Sequence, residues 1–266
     1  MQRWLNRHNL PLVFSLLLLC SPSAQAGGES PPAGDASAAA STEQPTAPQN
    51  NKLIKPLAPF KAYYQAQFDL GINVGGEAVR QLKALPDNQW QLSMNATAMV
   101  ASIDESSRFE FTSDQSIKPQ HYNYLRKVLG KKKHRQLDFD WQKATVNSIY
   151  NKDKHSFALE PQTLDTISYQ IQLWHDVKAG LKTMNYRVAD DGQIEPYRYN
   201  VVGEERVETP AGDFNAIKVA RDRGEGSQRQ TFIWFAQEHD HVIVKLEQIE
   251  VDGKRYTLLL ERLETP

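Results

Sequence analysis

Tyr64-Gln65-Ala66-Gln67-Phe68-Asp69-Leu70 alternates apolar and polar residues without a break. Successive side chains of a β-strand point to opposite faces, so this stretch makes a strand with one apolar and one polar face. The same period recurs outward along the chain. Trp90, Leu92, Met94 and Ala96 alternate with polar residues, as do Phe109 and Phe111, then Leu137, Phe139 and Trp141. Tyr197, Tyr199 and Val201 follow, then Val242, Val244 and Leu246, and finally Tyr256, Leu258 and Leu260. Turn formers separate these runs: Gly75-Gly76, Asp87-Asn88, Gly130, Asp191-Gly192, Ala211-Gly212-Asp213 and Asp252-Gly253. The pattern predicts about a dozen strands in an all-β, mainly antiparallel domain: a large curved sheet, half-barrel or barrel with one face toward the core.

One segment departs from period two. Leu164, Ile167, Ile171, Trp174 and His175 fall at helical spacings, with Asp165 early and Lys178 late. With Thr163 as N-cap and Gly180 as stop, the spacing predicts one amphipathic helix of about four turns packed on the sheet. It either completes the core or covers a ligand site.

The first residues carry an address. Arg3 and Arg7 precede an apolar run from Leu10 to Cys20, Pro22 breaks it, and Ala24-Gln25-Ala26 supplies small residues for cleavage. Residues 1–26 therefore read as a Sec-type signal peptide cut after Ala26, which places the mature protein in the periplasm. The run is too short to span a bilayer, so no transmembrane segment is expected in the mature form. A lipoprotein signal would place a small residue before its cysteine, and Leu19 stands before Cys20. Cleavage removes this cysteine, the only one in the chain. Residues 27–54, rich in Gly, Ser, Pro, Ala and Gln, read as a disordered tether that is either a spacer or an unselected tail. Residues 55–266 form the single β domain. The formal charge of the whole chain is −1, too little to draw it to nucleic acid, and no nucleic-acid partner is expected.

Glu208-Thr209-Pro210-Ala211-Gly212-Asp213-Phe214-Asn215-Ala216-Ile217-Lys218-Val219 forms a strand, tight turn and strand, followed by Phe232-Ile233-Trp234-Phe235-Ala236 and a strand ending near Val251-Asp252-Gly253. With the early Gly71, Gly75, Gly76 and Glu77, and the helix opening at Leu164-Asp165, this order resembles the exported bacterial family catalogued as domain of unknown function 3108. The resemblance spans roughly residues 59–263. It implies an exported β-rich domain and supplies no catalytic residues.

Chemistry is sparse. His239-Asp240-His241 would offer two imidazoles to one metal if extended, yet the polar context reads as a solvated turn, and neither metal nor cofactor is expected. No G-x-S-x-G elbow is present. Carboxylate pairs at Asp104-Glu105, Asp138/Asp140 and Asp190-Asp191 leave an envelope glycan hydrolase as an alternative, although no catalytic constellation stands out and the protein is not expected to be an enzyme. Phe232, Ile233, Trp234 and Phe235 are apolar on both faces of one strand, which needs cover on both sides. Trp174 of the helix is the expected cover, so Trp174, Phe232, Trp234 and Tyr199 form the candidate ligand site for an envelope lipid or glycan. Lys131, Lys132, Lys133 and Arg135, around a hairpin tip at Gly130, form the candidate surface for peripheral membrane contact or for a partner in a structural interaction protein. A solvated loop that guards a strand edge is the plainer reading.

Overall fold

The computed structural model describes residues 58–69, 73–112, 116–190, 192–240 and 242–266. The signal-peptide and tether assignments, together with Gly71, Asp191 and His241, lie outside these residues. Fifteen strands and one helix make up the described residues. The first wing holds β1 (Phe60–Asp69), β2 (Asn73–Ala84), β3 (Gln89–Ala98), β4 (Ala101–Phe111), β5 (Ile117–Val128), β6 (Lys131–Asp140), β7 (Thr145–Tyr150) and β8 (Asp153–Ala158). The second holds β9 (Thr163–Asp165), the helix α1 (Tyr169–Lys178), β10 (Thr183–Asp190), β11 (Gln193–Thr209), β12 (Gly212–Asp222), β13 (Gln230–Ala236), β14 (Ile243–Ile249) and β15 (Arg255–Glu264). All belong to one sheet in the order β8-β7-β6-β5-β4-β3-β2-β1-β15-β14-β13-β12-β11-β10-β9, and it does not close. Only β9 and β10 pair in parallel.

The connectivity forces the sheet to roll. β8 and β9 are its two edges, yet only Leu159–Gln162 separates them in sequence. Five Cα steps reach about 19 Å at most, whereas the edges of a flat sheet of this width would stand roughly 67 Å apart. The sheet therefore coils, and β9 is tucked inside it: Thr163, Leu164 and Asp165 are all buried. Ser107 of β4 donates to Asp165 at 2.5 Å, bonding the inner edge to the concave wall.

Period-two alternation sets that wall. Tyr64, Ala66 and Phe68 of β1, Ala78 and Leu82 of β2, and Leu92, Met94 and Ala96 of β3 are buried while their neighbours are exposed or half-buried. One expected turn falls differently. Gly75-Gly76 is not a turn but part of β2. A Cβ on Gly76 would lie 2.4 Å from the Thr97 carbonyl oxygen and 2.9 Å from the Ala98 Cβ, so glycine lets adjacent strands bend together here. Asp87-Asn88 and Leu129-Gly130 are turns as expected, with φ of 57° and 56°, and 48° and 79°, the paired positive values of tight hairpins.

The helix is also shorter than its spacing predicts. Thr163 lies in a strand, and α1 runs only from Tyr169 to Lys178. Asp165 ends the strand because its carboxylate turns back to accept the N–H groups of Ile167 and Ser168 at 3.0 and 2.8 Å, while the Ser168 hydroxyl accepts the Asp165 N–H at 2.9 Å. This reciprocal arrangement competes with helix and delays its start. Gly180, with φ of 88°, follows the last turn as expected. Tyr169, Ile171, Leu173, Trp174 and Val177 are buried against the concave wall, and Gln170 bonds Arg80 of β2.

Candidate functional site

Several charged residues occupy the concave register that alternation reserves for apolar ones. Arg80 falls between Ala78 and Leu82, Glu105 between Ile103 and Ser107, and Arg135 is in phase with Leu137 and Phe139. Arg135, expected on the surface, is instead 1% exposed and ion-paired with Asp190 of β10, which also accepts from the Tyr197 hydroxyl at 3.2 Å. A charge this deep persists only when paired, and the coiled sheet brings the partner from the far wing.

Glu105 accepts hydrogen bonds from the Tyr122 hydroxyl at 2.8 Å and from Thr166 at 3.0 Å. Burial pushes its carboxyl up to about 8, with the nearby Asp165 adding to the effect against the two hydroxyl donors. Burial likewise raises Asp165, although Ser107, Ser168 and Ile167 all donate to it. These groups latch β9 and the start of α1 to β4 and β5.

Toward the ends of β12 and β5 the concave side becomes cationic. Arg221 faces Tyr199 in register and stacks on Tyr197, its guanidinium carbon 3.4 Å from the ring centroid. Its Nε and Nη1 are buried without an acceptor among the described residues. Arg223 donates to Thr231 Oγ1 at 2.9 Å and to the Arg229 carbonyl at 3.4 Å. Burial, with Arg221 and Arg229 nearby, pushes its guanidinium down to about 10. Arg229 pairs with Glu250 at 2.5 Å. Tyr256 lies in the field of both Arg229 and Arg126, and Arg126 stands in register with Ile103 and Lys133. Arg126, Arg221 and Arg223, all half-buried, have no carboxylate partner among the described residues. Tyr169 and Tyr199, with rings 5.6 Å apart, complete the lining. Planar guanidinium forks beside aromatic faces in a concave, partly desolvated setting suit a phosphate or carboxylate, with the tyrosines contacting the body that carries it.

The four residues expected to form a ligand site are not brought together. Tyr199 lies in this cationic interior. Trp174 lies near the last turn of the helix, donating to the Asp240 carbonyl at 2.6 Å beneath the Lys178 ammonium. Phe232 and Trp234 point to the opposite face of β13 from Ile233, which is buried against Val219 and Leu246. Trp234 is 1% exposed because Lys218 and Lys245 lie over its ring at 4.9 and 4.3 Å and Glu205 accepts its N–H at 2.6 Å. Its cover is therefore lysine stems and a bent β11, not the helix. An apolar cleft of about 80 Å³ opens beside Trp174, lined by Phe60, Tyr64, Ile171, Val242 and Leu263. It admits a few waters or a short alkyl end, well below the volume of a drug-sized site.

Lys131 and Lys132 are exposed, and Lys133 lies 5.1 Å from the Tyr150 ring centroid. His239 is in a turn, its ring 5.3 Å from that of Phe214. Among the described residues no group of three potential metal ligands converges, and no helix is long and apolar enough to cross a membrane. Arg221, Arg223 and Arg229 escaped the sequence reading, and Arg126 was legible there only as the first residue of the basic cluster around Gly130, not as part of the interior. The signal for Arg126 was its even spacing from Tyr122 and Tyr124, and for Arg221 its even spacing from Val219.

The model of a family described as "Protein of unknown function (DUF3108)" matches residues 60–261. No curated protein matches the chain. Among solved structures, a β-barrel-like protein of the DUF1849 family from Brucella abortus is similar in fold, with a TM-score of 0.54 at 11% identity over 79% of this chain and 98% of that one. Two others align less well. A Bacteroides fragilis protein described as exported, with a YmcC-like fold, gives a TM-score of 0.30 at 14% identity over 79% of this chain and 97% of its own. A Parabacteroides distasonis protein described as a lipoprotein gives 0.28 at 11% identity over 78% and 96%.

Proposed function

The chain belongs to the DUF3108 family, and from the cationic, tyrosine-lined interior of its coiled sheet we propose that it is a non-enzymatic binding module of the cell envelope. Its ligand is an envelope lipid or glycan that carries a phosphate or carboxylate. The observation that carries this reading is the pair Arg221 and Arg223: two half-buried guanidiniums on the concave side, without a carboxylate between them. Charges in such a setting cost stability unless an anion joins them, so the arrangement fits a site that a ligand completes. The signal-peptide reading of residues 1–26 supports a periplasmic location.

The glycan-hydrolase reading asks for two carboxylates across an accessible cleft. Glu105 and Asp165, which do approach one another, are both buried and occupied by bonds from Tyr122, Thr166, Ser107 and backbone amides. Binding is the better-supported function.

The test is native mass spectrometry of the protein purified gently from the periplasm, followed by organic and aqueous extraction. A discrete adduct in the organic phase identifies an anionic lipid, and one in the aqueous phase an acidic glycan. Wild type that carries no adduct, or adducts retained undiminished by R221Q/R223Q, would overturn the assignment.

A further inference from the structure

Two hairpin tips stand side by side next to the cationic interior. The β3–β4 turn is Met99-Val100 and the β5–β6 turn is Leu129-Gly130, and the Leu129 N–H bonds the Val100 carbonyl at 3.1 Å. Met99 is 84% exposed, Leu129 61% and Val100 58%. Tight turns of this kind favour Asn, Asp or Gly, yet Met99 and Leu129 occupy left-handed positions with φ of 46° and 48°. Large apolar side chains are thus held out in water at places where the backbone would accept a polar residue more easily.

The basic cluster lies on one of these two hairpins, beside the other. From Arg126 to Arg135 the sequence contains no acidic residue. Lys127, Lys131 and Lys132 are exposed and make no ion pair among the described residues. β6 pairs with β7 only from Arg135 onward, so Lys131 to Lys133 project beyond the neighbouring strand. Guarding a strand edge would call for the lysines alone, not for Met99, Val100 and Leu129 between them.

We propose that these two tips form a prong that docks on an anionic lipid surface: Met99, Val100 and Leu129 enter the headgroup boundary, and Lys127, Lys131 and Lys132 meet the lipid phosphates. An apolar tip alone would fit many partners. The acid-free run of cations from Arg126 to Arg135 beside this one is complementary to an anionic bilayer, and two attractions of this kind together give stable peripheral binding where one gives only marginal binding. The inference stands independently of the interior ligand site, because none of these side chains belongs to it.

The test is co-sedimentation of the full-length mature protein with vesicles of phosphatidylcholine alone or mixed with phosphatidylglycerol. Wild type is expected to sediment with the anionic vesicles only. K131E/K132E should weaken this by more than ~25-fold at low salt, at roughly fivefold for each basic charge removed near the surface. M99D/L129D should abolish it while leaving the circular dichroism spectrum unchanged. An environment-sensitive dye on L129C should shift to the blue on anionic vesicles. Wild type that fails to sediment, M99D/L129D that binds as wild type, or a dye that does not shift would each overturn the proposal. The same vesicles separate it from the interior site, since R221Q/R223Q should bind them normally.

Discussion

Replacing Glu105 by glutamine should make the protein more stable at neutral pH, although Glu105 sits at the centre of a buried hydrogen-bond network. The carbonyl of the introduced amide can still accept from Tyr122 and Thr166, so the change removes chiefly the titration. In the folded protein the Glu105 carboxyl is raised from an ordinary 4.5 to about 8. Between those values the folded chain holds a proton that the unfolded chain has released. Stability therefore falls as pH rises from about 4.5, at ~1.4 kcal/mol per unit, and levels off above the folded value. By pH 7 the accumulated cost is on the order of 3 kcal/mol, a large part of the stability of an ordinary domain. The assay is urea denaturation of wild type and E105Q at pH 5, 6, 7 and 8, read by tryptophan fluorescence. The difference in unfolding free energy should grow steadily in favour of E105Q across that series and be smallest at pH 5. Parallel curves across the series would refute the reasoning, because they would mean that Glu105 ionises in its usual range.

Other substitutions separate folding from binding. G76A should cost about 1–3 kcal/mol by overpacking against the Thr97 carbonyl, seen as a lower melting temperature. D165A leaves the Ile167 and Ser168 amides without their acceptor and should cost about 2–4 kcal/mol, with faster hydrogen exchange through α1. W234F loses the bond to Glu205 and weakens the contacts with Lys218 and Lys245, so it should lower stability by about 1–2 kcal/mol while ligand retention in native mass spectrometry stays unchanged. R221Q/R223Q should do the reverse: retention falls at least tenfold, while the melting temperature of the empty protein changes little. Relief of two half-buried charges offsets the loss of the Arg221 stack on Tyr197 and of the Arg223 bonds to Thr231 and the Arg229 carbonyl.

The sheet was legible because alternation is a local property: Tyr64 to Asp69 shows its period whatever it later packs against. What alternation could not show is which strand edges meet, and the charged groups of the interior depend on that. Arg135 illustrates the point. Its even spacing from Leu137 and Phe139 assigns it to the core, but nothing nearby in sequence neutralises it; Asp190 arrives only when the sheet coils. Read by composition, Arg135 joins the lysines before it, and read by phase it leaves them. Trp234 was misjudged for the converse reason. A strand apolar on both faces does need cover on both, but lysine stems served where a second aromatic layer was expected. The helix began late because Asp165 and Ser168, residues able to bond the backbone locally, hold the preceding segment in another conformation.

Every pair of neighbouring strands except β1 and β15 is also consecutive in sequence. The fold is thus two meanders of local pairings, residues 60–158 and 163–264, joined by one long-range strand seam, by the interior bonds of Arg80, Glu105, Ser107 and Arg135 to the second wing, and by the short Leu159–Gln162 link. Within each meander loop closure is cheap, while the seam must await the last strand and carries most of the contact order. A chain cut within the link would therefore yield two fragments with nearly all their strand pairings intact internally. They would find each other through β1 and β15, at a rate set by encounter rather than by chain diffusion. The topology thus lends itself to splitting and reassembly, and a change in Trp174 fluorescence on mixing the halves would report the reunion, because Phe60 and Tyr64 of the first half line the cleft beside it.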